Sequence, residues 1–557
     1  MREKDGVNKL TFDDEFLLDS AEKRLKSGDY FGALTMLNKR AGMYAPSADA
    51  SALYADTYEA MGLWELAADS WFRFLDTCNE ADFIEGYEGL AVAFMNMGND
   101  MQAALYYHRI LAEGGELSEF GQEELSAALE RASEPMLRVV HSAEDGGDPD
   151  ALQKALVSMK LGDFEGAREQ FQELPPGHKD FSTAAGLAAM CSLMLGDEDA
   201  AERECKALLT YYPDNVQALT TYCAVLGARD RKEEAREVAK KLATLRSDAV
   251  DDMYRIATAL CETELDEEAF ECLSALKERL PYDENVLWFH AVSGYRSGKI
   301  DEAIQSLETL TTVYPRKAVA NFYLVKMRKF RDGEAKRFSL GYFYRVPEEY
   351  YRAIADLFLR LSNEDDDEAL LTASEIPELP DFFRIAFDEM EGRDEKLQML
   401  AVKIALKCQM HDLLREILLD YQGDDGVKLA ALHGLVMRNE DDSFGTVICA
   451  TYKEFFTHKL ELGERKRTAF LRAFADVYSK YALLDEVHES KLCTAAEDIY
   501  QTLEEAEAWS YMDERAALSA AIYREARLPK AAHSLSEIAK LFDASSRKVK
   551  EILDFMM

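Results

Sequence analysis

The 557-residue chain predicts an all-α fold: an α-solenoid of short helical hairpins, followed by irregular helical repeats and a small C-terminal helical domain. Three observations predict it. A buried-type alanine recurs at Ala33, Ala67, Ala103, Ala167, Ala201, Ala235, Ala269 and Ala303, the last five spaced by 34 residues. Twelve positions before each stands another small residue, at Ala21, Ala55, Ala91, Ala155, Ala189, Cys223, Ala257 and Ala291. Five positions before each stands Gly28, Gly62, Gly98, Gly162, Gly196, Asp230, Glu264 or Gly298, and with only 29 glycines in 557 residues, six in eight at one offset is not chance.

The residue types follow from packing. Two helices approach closely only where small side chains meet, and the tight loop between them favours glycine. Four residues after each alanine a larger apolar group usually follows (Leu37, Trp71, Tyr107, Phe171, Leu273, Leu307), which continues the core stripe of a helix. Pro213, Pro281 and Pro315, twelve residues after their alanines, end the second helix of their hairpins.

With this order of small residue, glycine, alanine, aromatic and proline, the sequence resembles the tetratricopeptide repeat (TPR) family. Segments such as "AMCSLMLGDEDAAERECKALLTYYPDN" carry the likeness over about 15–111 and 148–315. It divides the chain into an N-terminal TPR block (1–111), a helical joint (112–147) and a second TPR block with a basic aromatic end (148–346). Irregular α-helical repeats (347–464) and a C-terminal unit (465–557) follow. The resemblance implies a concave face built from the first helix of each unit. On that face it puts Leu152, Leu156, Met159, Met190, Leu193, Met194, Tyr254, Trp288, Val292 and Tyr295. The groove is apolar, and the Lys, Arg and Asn of a carboxylate clamp are absent: Gly186, Met190, Thr220, Ala224, Tyr254, Thr258, Trp288 and Val292 stand instead. An apolar or amphipathic helix of a partner protein is the expected ligand, with Trp288, Tyr254 and Tyr295 as anchors. Burial of these residues against a neighbouring segment of the same chain is the other reading.

Charge separates further classes of function. The chain carries 65 basic and 105 acidic residues, a formal net charge of −40, which repels nucleic acid and anionic membrane over most of its surface. The exception is 316–345, where nine cations meet two acids and aromatics are interleaved. There Lys326, Arg328, Lys329, Arg331 and Arg337 could contact phosphates while rings stack on bases. The plainer reading makes the aromatics core and pairs the cations with nearby acids. The run Glu364 to Glu368 lacks the order of a cation-binding loop and reads as solvated.

The C-terminal unit is similar to one cyclin-box repeat of the transcription factor IIB type. The likeness rests on Ala517, Ala520, Ala521, Ile522, Tyr523 and Arg527, the Pro529 loop, and Glu537, Ile538 and Ala539. Ser534 and Glu537 form a predicted capping box. The ending "SLSEIAKLF", "DAS", "SRKVKEILDFM" outlines a helix-turn-helix whose Arg547, Lys548 and Lys550 could approach phosphates. The sequence departs from that family in having one cyclin-box repeat rather than two and no zinc ribbon, and 465–557 carries a net charge of −2.

No signal peptide and no transmembrane span is visible, so a cytoplasmic location and no membrane partner are expected. Nine scattered cysteines without a CxxC pair suggest neither a metal site nor disulfides. No catalytic motif is present, and no cofactor is expected. The expected function is a non-enzymatic protein–protein scaffold. The alternative is a transcription- or RNA-associated regulator that touches nucleic acid through 316–345 or the C-terminal unit.

Overall fold

The computed structural model describes residues 13–133, 151–364, 376–388, 394–437, 443–456, 486–527 and 534–556, apart from 161, 177, 179, 377 and 543, together with 470, 473, 474 and 477. The hairpins fall where the repeat places them. In the N-terminal block α1 (Asp14–Lys26) pairs with α2 (Tyr30–Ala41), α3 (Ala48–Ala60) with α4 (Trp64–Thr77), and α5 (Phe83–Asn96) with α6 (Asp100–Ala112). Helix α7 (Glu119–Ser133) follows within the joint, whose residues 134–147 lie outside the described ones.

The second block runs α8 (Ala151–Lys160) and α9 (Phe164–Gln172), α10 (Phe181–Met194) and α11 (Glu198–Tyr211), α12 (Val216–Ala228) and α13 (Lys232–Thr244). It continues with α14 (Val250–Glu262) and α15 (Asp266–Arg279), α16 (Glu284–Arg296) and α17 (Ile300–Val313), and a last first-type helix, α18 (Ala318–Arg331). Helices α19 (Glu348–Ser362), α20 (Leu379–Phe387), α21 (Glu395–Lys407), α22 (His411–Leu419) and α23 (Asp425–Met437) precede a two-stranded hairpin, β1 (Ser443–Ile448) and β2 (Thr451–Phe456). The C-terminal helices are α24 (Glu486–Glu505), α25 (Arg515–Glu525), α26 (Leu535–Leu541) and α27 (Ser546–Asp554).

Each element of the repeat has a visible cause. All sixteen paired small residues, from Ala21 and Ala33 to Ala291 and Ala303, are at most 3% exposed, so nothing larger fits where the two helices cross. The turn position is left-handed in all eight hairpins. Its six glycines have φ between +72° and +86°, and Asp230 and Glu264 are forced to φ +55° in the same place. Left-handed backbone there lets the next amide reach back five residues, as Asp29 N does to Arg24 O and Leu265 N to Leu260 O (2.9 and 3.0 Å), closing the first helix. Polar side chains also bridge a hairpin at the twelve-residue interval: Trp71 Nε1 donates to Glu59 Oε1 (2.7 Å), and Ser192 Oγ to Glu204 Oε2 (2.8 Å).

The chain forms two compact units. One comprises Met1–Leu137, Glu348–Phe387 and Arg393–Met557; the other comprises Arg138–Pro347 and Asp388–Gly392. In the first, the expectation of helices alone over 347–464 is corrected by the β1–β2 hairpin. Its strands pair antiparallel from Ser443↔Phe456 to Ile448↔Thr451. The two-residue turn between them, Cys449 and Ala450, has φ +53° and +57°, the conformation of a hairpin turn usually made by Asn-Gly. Neither residue signals a turn, which is why the strands read as helix. The hairpin, the end of α22 and the residues after it pack on α4, α5 and α6. Val447, Tyr452, Leu419 and Tyr421 join Phe72, Phe94 and Tyr106 in one apolar cluster. Tyr106 donates to Ala450 O (2.7 Å) and Arg109 to Tyr452 O (3.3 Å).

In the C-terminal helices, Ala517 to Tyr523 are buried along α25, and Ser534 with Glu537 makes both bonds of the capping box. Of the acidic run, residues 365–368 lie outside the described residues.

Candidate functional site

The first helices of the second block share one face, and the ten residues expected to line a groove divide along it. Leu152, Leu156 and Met159 on α8 flank the core around Ala155 and Phe171, half-buried. Met190 and Leu193 on α10 are half-buried, and Met194 is 56% exposed. Tyr254 on α14 is half-buried. Trp288, Val292 and Tyr295 on α16 differ, at 2%, 0% and 1% exposure. They are therefore not open anchors for a partner helix, because the chain itself covers them.

The covering segment is 336–346. Phe338, Leu340, Tyr342, Tyr344 and Val346 are buried or half-buried, while Arg337, Ser339, Gly341, Phe343 and Arg345 are exposed. That strict alternation is the signature of extended chain with one face down. Tyr295 stacks on Phe338 (ring centroids 4.6 Å), and Trp288 meets Tyr344 edge to face (4.8 Å). Phe289 receives the edge of Tyr342 (6.2 Å).

The polar contacts read the segment's main chain. Tyr295 Oη donates to Phe338 O (3.0 Å) and accepts from Phe338 N (2.9 Å). Arg296 donates to Leu340 O (3.2 Å), Trp288 Nε1 to Tyr342 O (2.7 Å), and Tyr323 Oη to Arg345 O (3.0 Å). Tyr342 donates to Asp266 (2.8 Å), and Tyr344 donates to Asp388 (2.9 Å) while accepting from Ala320 N (3.2 Å). Burial raises the Tyr344 hydroxyl well above the ordinary phenol range, reinforced by the Asp388 carboxylate, so it stays a neutral donor. Burial likewise pushes Tyr323 up to about 12.

The cations proposed for nucleic acid are mostly engaged within the protein. Lys326 sits over the Phe322 ring (4.3 Å), Arg328 pairs with Glu308 (2.7 Å), and Arg331 with Asp332 (2.9 Å). Arg337 donates to Arg296 O (2.9 Å) and reaches toward Tyr295 O. At the C-terminus Arg547 pairs with Glu551 (2.8 Å) and Lys548 with Glu514. Lys329 and Lys550 are exposed. The aromatics of 316–345 do not form a stacking platform. Tyr323 lies against Trp288 and Phe338, and Tyr342 and Tyr344 lie against α16. The plainer reading of this segment is the one the geometry follows.

One polar group inside the second block has the outline of a nucleophile and base. Ser306 Oγ lies 2.9 Å from His290 Nδ1, and Lys277 Nζ donates to Ser306 Oγ (3.1 Å). Ser274 Oγ donates to Phe270 O (2.7 Å) and faces His290 Nε2 at 3.1 Å. The network closes with Nε2 protonated, donating to Ser274, and Nδ1 accepting from Ser306. His290 and Ser306 are 2% and 1% exposed, so no substrate reaches them; the group satisfies a polar core. Burial, with Lys277 and Lys299 adding to it, lowers the imidazole to about 3 and keeps it neutral.

No group of three or more potential metal ligands occurs among the described residues. Burial pushes the thiols of Cys205 and Cys223 up to about 12, so they behave as small apolar side chains. No helix among the described residues is long and apolar enough to cross a membrane.

The helix pairs, their left-handed turns and their buried alanines make the chain an all-α solenoid of TPR-like hairpins. No protein-family model matches the chain, and no curated protein matches it. Among solved structures, the P58(IPK) TPR domain is similar at 20% identity and TM-score 0.23, over 58% of this chain and 99% of that one. Yeast Tom70 is similar at 13% identity and TM-score 0.28, over 75% and 93%. Human IFIT1, as a dimer with PPP-AAAA, is similar at 14% identity and TM-score 0.26, over 78% and 96%. At such scores no ligand or partner carries over to this chain.

Proposed function

We propose that the protein is a non-enzymatic, cytoplasmic scaffold that captures an apolar or amphipathic helical segment of a partner protein on the first-helix face of α8 and α10. The supporting observation is the partly open apolar stripe of Leu156 and Met159 on α8 and Met190, Leu193 and Met194 on α10. Half-buried large side chains in a row are what a helix laid across them would cover. The C-terminal unit, whose buried α25 and capping box suit a cyclin-box-like outline, serves in this reading as a helical module rather than a DNA reader. Its cations Arg547 and Lys548 are spent on Glu551 and Glu514.

Site-specific photo-crosslinking in cells of the source organism tests the proposal. A photo-reactive side chain at Met194 is expected to trap a discrete partner, mapped by mass spectrometry to an amphipathic segment. The same group at Tyr211, 80% exposed at the end of α11, is expected not to trap it. The Leu193→Asp change is expected to abolish the product. Equal trapping at both positions, or indifference to Leu193→Asp, refutes capture on this face.

A further inference from the structure

We propose that residues 336–346 are a displaceable strap, a built-in stand-in for an extended peptide of another protein that binds the same groove over α14, α16 and α18. That peptide carries apolar side chains at alternate positions, in the pattern aromatic, leucine, aromatic, aromatic. The inference concerns a different stretch of the first-helix face from the proposed helix-capture site and stands or falls independently of it.

Three observations carry it. The first is how the strap is held. Among the described residues no backbone-to-backbone hydrogen bond joins 336–346 to anything. Its carbonyls at 338, 340 and 342 are taken by Tyr295, Arg296 and Trp288, and that of 345 by Tyr323. Side-chain donors set two residues apart along an extended chain recognise main chain of any sequence, so the groove is built to read a peptide rather than only this segment.

The second is side-chain selection. Phe338 stacks on Tyr295, and Leu340 is buried. Tyr342 inserts among α14, α15 and α16 with its hydroxyl on Asp266, and Tyr344 closes on Trp288. The intervening Arg337, Ser339, Gly341, Phe343 and Arg345 face outward, Phe343 at 61% exposure. Alternate positions are thus specified and the others left free, the pattern of a recognition groove.

The third is tethering. The strap follows α18 directly through Gly333 (φ +78°) and the exposed residues 334–337, so it can leave and return while both ends stay attached. Tethered in this way, it competes with any outside peptide at an effective concentration of about millimolar.

The test uses the full chain and a fluorescein-labelled synthetic peptide of residues 335–347, read by fluorescence anisotropy. The double change Leu340→Ser with Tyr342→Ser removes two inward side chains of the strap and leaves the groove intact. This variant is expected to bind the peptide at least tenfold more tightly than the unaltered chain. A peptide of the same composition with its apolar residues grouped together, so that no alternation remains, is expected not to bind.

Equal binding by both chains, or none by a variant that retains helical circular dichroism, overturns the proposal. Concentration-dependent dimerisation of the unaltered chain that disappears in the variant also overturns it, by assigning the groove to the strap of a second copy. A second measurement needs no variant. Cys261 is 3% exposed beside the Tyr342 hydroxyl. In the unaltered chain its labelling by a small thiol reagent is expected to run at least tenfold faster than that of Cys223, which is as buried but lies a repeat earlier. Equal rates would mean that the strap opens only with the whole unit, and would overturn it as well.

Discussion

Acidification probes the buried polar core of the second block through one side chain. His290 is held neutral between Ser274 and Ser306, its imidazole lowered to about 3, against an ordinary value of about 6.5 in an unfolded chain. Below pH 6.5 the unfolded chain binds a proton that the folded one refuses, so the stability contributed by neutral burial falls as pH drops and is constant above that point. At about 1.4 kcal/mol per pH unit, the loss from this one group between pH 7 and pH 5 is about 2 kcal/mol. The chain carries 105 acidic residues, so the absolute slope is a composite, and the comparison that isolates His290 is a difference. His290→Gln keeps a donor and an acceptor but cannot ionise. Urea unfolding followed by tryptophan fluorescence, at pH 7, 6 and 5, is expected to show unaltered protein and variant converging as the pH falls, by about 2 kcal/mol at pH 5. Parallel curves would refute the assignment of a neutral, desolvated imidazole.

Two further changes follow from the same kind of reasoning. Glu264→Gly relieves a left-handed turn at the cost of an exposed pair with Arg296 (3.2 Å), and is expected to stabilise the second unit by about 0.5–1 kcal/mol in thermal unfolding; a lower midpoint would contradict the strain argument. Lys428, 1% exposed, donates to Val447 O (2.7 Å) and Asp425 (3.1 Å), so Lys428→Met takes a buried cation from both acceptors and is expected to cost about 2–4 kcal/mol in urea unfolding.

The repeat was legible because its constraints are local. Alanine at a helix crossing and glycine in a left-handed turn are forced by geometry within 34 residues, and they announce themselves by residue type. Asp230 and Glu264 broke the glycine rule without breaking the turn, since the surrounding helices hold their backbones at φ +55°. The groove was legible as a face but not in its occupancy. Nothing in Trp288 or Tyr295 reveals that a segment about 50 residues later lies on them, although the alternation of Phe338, Leu340, Tyr342 and Tyr344 was there to be read as extended chain. The β1–β2 hairpin was hidden for a related reason: Cys449 and Ala450 adopt a turn by virtue of Asp425, which accepts from Cys449 N (2.9 Å), and Tyr106, rather than by their own preference.

The contact of Tyr106 with Ala450 spans 344 residues of chain, and it closes a unit whose middle is interrupted by the whole second block. Translation at about 5–20 residues per second delivers Ala450 roughly 17–70 seconds after Tyr106. For that interval Phe72, Phe94 and Tyr106 wait on the ribosome without Tyr421, Val447 and Tyr452, which bury them in the finished protein. Apolar surface left uncovered over that interval is where this architecture is open to aggregation during synthesis.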